Sequence, residues 1–181
     1  SFLVAAWDIN GERLELEIPF SGGQLSDAMT VSARISDTAK SNRFLQQEID
    51  VSLRSEGDEL VVNVVAHPPD SEARLTLAGR YSVLDGDGKF SIGPNVVDFA
   101  KDSLQPEDLS PLLSVFQKTV GSVNIDGEVK ITRGQPLQSY VTLKFESLNT
   151  DFVEMSIDSL TGQLKIIDLL NPHTPSGQMF S

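Results

Sequence analysis

Two carboxylates stand two residues apart in Asp85-Gly86-Asp87-Gly88, the only spacing in the 181-residue chain that looks suited to a hard cation. A calcium loop alternates acidic oxygens along a tight turn and closes its coordination sphere with a distant glutamate. Here Lys89 and Phe90 come next and no acid stands where the closing ligand is needed, so the segment reads as a hairpin turn. His67, before Pro68-Pro69, and His173, between Pro172 and Thr174, have no partner at ligand spacing and read as loop residues. Nucleophilic chemistry has no foothold either, since the strained Gly-x-Ser-x-Gly elbow does not occur. No glycine-rich loop with Lys-Ser or Lys-Thr behind it is present to cradle a phosphate. Glu107-Asp108 is an acidic pair of the kind a glycosidase could use, but among 26 acidic residues such pairs arise by chance, and this one reads as the turn leading into a helix. Trp7, Phe44, Tyr81, Phe90, Phe116, Tyr140, Phe145 and Phe152 are scattered rather than grouped as a stacking platform, and read as core. The residue inventory therefore predicts no catalytic group, no metal and no cofactor, and favours a binding or conduit module over an enzyme.

Charge narrows the partners. With 26 acidic against 14 basic side chains the net charge is −12, which repels phosphate backbones and anionic membrane surfaces at long range and argues against nucleic acid. No apolar run approaches the roughly 18 residues of a membrane span; the longest candidate, Phe2 to Trp7, is strand-sized. Cysteine is absent, so neither disulfides nor thiolate sites enter, and the redox compartment is not legible. The chain opens directly on an apolar stretch and closes on Gln178-Met179-Phe180-Ser181 with an apolar pattern still running, which predicts an excised piece of a longer protein.

The elements that would position any site are strands. Apolar residues recur at every second position in Leu14 to Phe20, Met29 to Ile35, Ile49 to Leu53, Leu60 to Val64 and Leu75 to Val83, and such alternation places them on one face of a sheet. The second half repeats the pattern in Val123 to Ile131, Val141 to Phe145, Val153 to Ile157 and Leu160 to Ile166. Asn10-Gly11, Gly22-Gly23, Glu56-Gly57-Asp58, Gly86-Asp87-Gly88 and Gly134-Gln135-Pro136 read as the intervening turns. Ser110-Pro111, an N-cap followed by proline, opens a predicted helix from Pro111 to Lys118, with Leu112, Leu113, Phe116 and Val120 at helical spacing and Gly121 as its end.

The predicted fold is thus mainly β, an elongated, curled antiparallel sheet with one short α-helix. About eleven strands at roughly 4.8 Å spacing would make a sheet on the order of 50 Å across. Its greasy face needs a cover, which alternation alone leaves open: a second sheet would give a closed β-sandwich scaffold or protein-interaction module, and a ligand would give a groove. Gly127 and Gly162, mid-strand in the apolar register, read either as bends where the sheet curls or as close approaches of neighbours.

One stretch carries a resemblance. Gly121-Ser-Val-Asn-Ile-Asp-Gly127-Glu-Val-Lys-Ile comes after the predicted helix, and Leu160-Thr161-Gly162-Gln163-Leu164 leads into Asp168-Leu169 and Pro172-His173-Thr174-Pro175-Ser176-Gly177-Gln178. This pattern resembles the YdbH-like family, relatives of the AsmA and TamB proteins of the Gram-negative envelope, once labelled a dicarboxylate transport family. The likeness covers residues 110–181, the predicted helix plus C-terminal β segment; residues 1–109 share only the strand habit and form a β-rich N-terminal part of the same fragment. The resemblance implies a periplasmic, non-enzymatic segment of a protein anchored to the inner membrane, conducting phospholipid between the two membranes along an apolar β-groove. It implies phospholipid acyl chains as cargo and an outer-membrane protein as partner. The alternating face that would line the groove is Val123, Ile125, Val129, Ile131, Val141, Leu143, Phe145, Val153, Met155, Ile157, Leu164 and Ile166.

Overall fold

A computed structural model describes residues 2–4, 8–21, 24–25, 28–40, 43–69, 71, 73–153 and 155–178. Its strands are β1 (Phe2–Val4), β2 (Ile9–Glu17), β3 (Phe20–Ser21), β4 (Gln24–Leu25), β5 (Ala28–Asp37), β6 (Gln47–Glu56) and β7 (Glu59–His67). They continue with β8 (Leu75–Ser82), β9 (Gly88–Phe99), β10 (Phe116–Ile131), β11 (Gln138–Phe152) and β12 (Met155–Ile167). Between β9 and β10 lie helix α1 (Pro106–Leu109) and a 3-10 turn (Pro111–Leu113). Ten strands form one open sheet in the order β1-β2-β5-β6-β7-β8-β9-β10-β11-β12, all pairings antiparallel, and β3 with β4 makes a separate ribbon.

Residues directly opposite in an antiparallel ladder point to the same face. Traced across the sheet, the register joins Leu16, Val31, Val51, Val64, Leu77, Ile92, Gly127, Val141 and Ile166 in one apolar row over nine strands. The opposite face carries cross-strand ion pairs such as Arg80–Glu59 at 2.8 Å, Lys89–Glu128 at 2.8 Å and Lys144–Asp126 at 2.7 Å. Exposed pairs of this kind contribute little stability each; their effect is to keep that face wet. Among the described residues the only other sheet is the β3–β4 ribbon of two-residue strands, too small to make the second layer of a sandwich. Phe90, Ile92, Val97, Phe99, Val123 and Leu148 are the hydrophobic side chains buried there.

Several sequence expectations change. Four of those six residues lie on β9, which alternation does not reveal because Gly93-Pro94 interrupts it. The interruption is a bulge: the β9–β10 register slips between Ile125 and Gly127, Gly93 has φ +72°, and the Gly93–Pro94 bond is cis. Asn10-Gly11 is no turn but lies within β2, where Gly11 pairs with both Phe2 and Ile35. His67 is the last residue of β7, paired with Glu48, rather than a loop residue. Gly22-Gly23 and Trp7 fall outside the described residues. The helix expected from Pro111 to Lys118 is a single 3-10 turn: Ser110 Oγ accepts from the Leu112 N–H at 3.2 Å, but from Phe116 onward the chain pairs with β11, and ladder hydrogen bonds displace helical ones. The α-helix forms one turn earlier, where Asp108 Oδ2 accepts from the Gln105 N–H at 2.8 Å.

The sheet is strongly coiled. Seven pairings separate β5 from β12, which in a flat sheet would hold them about 34 Å apart. Yet Arg43, between β5 and β6, donates from Nη1 to the Leu170 carbonyl just after β12 at 3.0 Å, and Ser110 Oγ donates to the Arg43 carbonyl. Native twist of roughly 20–25° per strand pair, accumulated over seven steps, turns β12 by about 150° relative to β5 and points the relevant ends the same way. The clasp is anchored by Asp37, whose side chain is fully buried and accepts from Arg43 Nη2 at 2.8 Å, Arg43 Nε at 3.1 Å and the Ala39 N–H at 2.9 Å. Burial alone would push the Asp37 carboxyl up, but the Arg43 guanidinium and the Ala39 and Arg43 amides together hold it below its ordinary value of 3.8.

A carboxylate with a depressed folded pKa contributes stability that is complete above the unfolded value and is lost as pH falls through the folded one. Equilibrium denaturation of the wild type should therefore weaken as pH drops below about 4, and Asp37→Asn should lose that part of the pH dependence. Arg43→Met, which strands a buried carboxylate, should cost about 3 kcal/mol at pH 7 in urea denaturation. A cost near zero would show that the coil does not depend on the clasp.

Candidate functional site

The three longest strands each carry a bulge at the same level of the sheet. Lys118 on β10, Ser147 on β11 and Ser159 on β12 have φ of +49°, +55° and +58°, and the ladder slips beside them. A left-handed residue at a bulge adds one residue to one strand, bends it and reverses the facing of the residues beyond it. So Val123 and Ile125 share the apolar face with Phe116, Leu143 and Phe145 with Leu148 and Phe152, and Leu160 and Leu164 with Ile157. The bends hollow the sheet at one end.

The hollow has a volume of about 450 Å³. Its floor is Phe99, Phe116, Thr119, Val123, Ile125, Leu143, Phe145, Leu148, Phe152, Ile157, Leu160 and Leu164, and its roof is Pro106, Leu109 and Leu113 from α1 and the 3-10 turn. The Phe116 and Phe152 rings stand 5.3 Å apart between centroids at its outer end. No titratable side chain lines it. Thr119, 1% exposed, turns its hydroxyl to Thr150 Oγ1 at 2.8 Å, so the polar groups of the floor satisfy each other.

Gln105 fastens the roof. Its Oε1 accepts from the Thr119 N–H at 2.8 Å, and its Nε2 donates to the carbonyls of Thr119 at 3.0 Å, Ala100 at 2.9 Å and Leu104 at 3.1 Å. Beside the hollow, Asn95 stands opposite Ile125; its Oδ1 accepts from the Thr76 N–H and hydroxyl at 3.0 and 2.8 Å, while its buried Nδ2 has no partner.

Six of the twelve residues expected to line a groove meet in this hollow: Val123, Ile125, Leu143, Phe145, Ile157 and Leu164. Val129, Ile131, Val141 and Ile166 lie in the same register further along β10, β11 and β12, extending the apolar face beyond the hollow. Val153 and Met155 are elsewhere. Val153 occupies the β11–β12 turn with φ +57° and is 67% exposed, and Met155 is 61% exposed. Alternation gives them and Ile157 a strand of their own, but β12 runs unbroken from Met155 to Ile167, with the bulge at Ser159 resetting its phase.

The residues that alternation misses, Phe116, Leu148 and Phe152, stand across bulges from the alternating runs, where period two fails, whereas Thr119 and Leu160 keep the phase of Val123 and Leu164. A run of opposite apolar phase on either side of a lone serine or lysine is the signal that would find them. Gly127 takes both of its readings, beside the β9 bulge and so close to the Tyr140 carbonyl that a Cβ would collide with it. Gly162, with φ +151°, stands opposite Phe145.

The remaining candidates lie apart from the hollow. Asp85 accepts from Ser82 Oγ at 2.9 Å and Asp87 Oδ1 accepts from the Arg133 N–H at 3.0 Å, holding the β8–β9 turn. His173 bridges to Ile167 as the chain doubles back along the outer edge of β12, where Gln178 donates to the Lys165 carbonyl at 3.1 Å. Glu107 and Asp108 lie in the first turn of α1 rather than before it. Among the described residues no group of acids and histidines could hold a metal ion, and no helix is long and apolar enough to cross a membrane.

Fold and hollow define the chain as an open, one-sidedly apolar antiparallel sheet with a roofed apolar hollow at one end. Comparisons with protein-family models, with curated proteins and with solved structures return no match.

Replacing Gln105 by Leu should free the roof, because the Thr119 amide and carbonyl then lose their side-chain partner in a buried place. The expected loss is about 2 kcal/mol of stability, with amide exchange rising first at Thr119 and across residues 100–113. Unchanged exchange there would mean that apolar packing alone holds the roof down.

Proposed function

We propose that this chain is a non-enzymatic lipid-holding segment that conducts phospholipid along its apolar β-face. The observation that supports this reading best is the apolar row over nine strands, half-buried at most of its positions, continuous with a hollow whose walls hold no charge. A face of this kind asks of its cargo only length and apolarity. Each acyl methylene taken from water contributes roughly 0.8 kcal/mol, and the absence of fixed polar partners lets a tail slide as easily as it binds. Head groups would stay at the wet margin, where the polar outer face begins.

The likeness of residues 110–181 to the YdbH-like family extends the proposal to a setting: the periplasm, in a protein anchored to the inner membrane, with an outer-membrane protein at the far end. Neither catalysis nor a cofactor is part of this function.

Native mass spectrometry of the purified chain, then organic extraction, tests it. Phospholipid should copurify with the wild type, and Phe145→Glu should lose most of it while keeping the β-sheet circular dichroism of the parent. Leu143→Glu, across from Ile125 and Leu164, should behave alike. A chain that is lipid-free as purified and stays empty when offered liposomes would turn the reading toward a scaffold that binds protein.

A further inference from the structure

We infer that the roofed hollow is a measured seat for one acyl tail, distinct from the open face that continues from it. The inference rests on the lipid-holding reading above and adds stoichiometry and chain length to it. An apolar protein cavity of about 150 Å³ holds one benzene, six carbons, so by the same measure 450 Å³ holds about eighteen. That is one long unbranched tail, and two tails of about ten or more carbons do not fit.

The build of the site agrees with the volume. Bulges at Lys118, Ser147 and Ser159 bend three neighbouring strands together, which gives the hollow a floor of fixed depth. Leu109 and Leu113 lie over part of it, so a tail beneath them meets protein on both sides. Val129, Val141 and Ile166, further along the sheet, lie outside the roofed hollow, and among the described residues no helix but α1 and the 3-10 turn is present to cover them. A tail in the hollow therefore gains contact with every methylene up to the length the hollow accepts, and carbons beyond that length pass onto the open face, where only one side is covered.

Saturated single-chain lysophosphatidylcholines, from about ten to about twenty carbons and kept below their micelle concentrations, separate the possibilities when titrated calorimetrically into the purified, delipidated chain. Binding should be one to one and should tighten by about fourfold per added methylene, then flatten near eighteen carbons. Leu160→Trp, which fills part of the floor, should move the break to a shorter chain and leave the slope below it unchanged; Val123→Phe serves if that variant fails to fold. Steady tightening with no break, or two equivalents bound, would overturn the seat while leaving the groove reading intact. No binding by any member of the series would remove the groove reading and the seat together.

Discussion

An antiparallel ladder sends alternate side chains to opposite faces, and in this chain most large aliphatic residues of β2 and of β5 to β12 fall on one of them. The apolar face is wider than anything the chain supplies to cover it. A sheet so patterned has two ways to lessen contact with water: to coil, and to borrow cover. Both are visible. The accumulated twist brings Arg43 to Leu170 and Ser110, and the short α1 and 3-10 segment covers the deepest part of the bend. The uncovered remainder is an apolar surface of a kind that soluble monomers rarely leave in one piece.

The polar elements of the fold read as devices that keep this arrangement from collapsing into something else. The buried Asp37–Arg43 pair offers more for position than for net stability, because an ion pair drawn out of water contributes little beyond an apolar substitute, yet fixes which atoms meet. Gln105 does the same for the roof, and the Thr119–Thr150 hydroxyl pair lets two polar side chains share a greasy floor without an unmet donor between them. At the outer edge of β12 the returning tail, with His173 and Gln178, covers part of a strand edge that would otherwise offer free amides and carbonyls to another chain.

Alternation makes much of this legible from the sequence. The one-sided face at Val31, Val51, Val64, Leu77, Val141 and Ile166 comes from period two alone, and so does the antiparallel order implied by short turns. Three features stay hidden. β9 escapes because Gly93-Pro94 looks like an interruption and is in fact a bulge inside a strand. The hollow is only half visible, since Leu148 and Phe152 stand across the bulge at Ser147, and Phe116 across the one at Lys118, from the runs that alternation finds. The helix is misplaced by about one turn because Ser110-Pro111 is a good cap for a segment whose continuation, from Phe116, is claimed by strand pairing with β11. Local signals are right about chemistry in each case and lose to a partner distant in sequence. Whether the face is sealed or open is beyond alternation, because both arrangements ask for the same residues.

An apolar face that meets solvent when empty and lipid when loaded should change its accessibility between the two states. Hydroxyl-radical footprinting of the delipidated chain, read at Leu53, Val62, Leu77 and Leu143, reports on that change residue by residue. An open face predicts labelling at these positions well above that of buried Val97, and protection when the chain is loaded with phospholipid. Labelling as low as that of Val97 in the empty chain, unchanged by lipid, would mean that something seals the face and would contradict the lipid-holding reading.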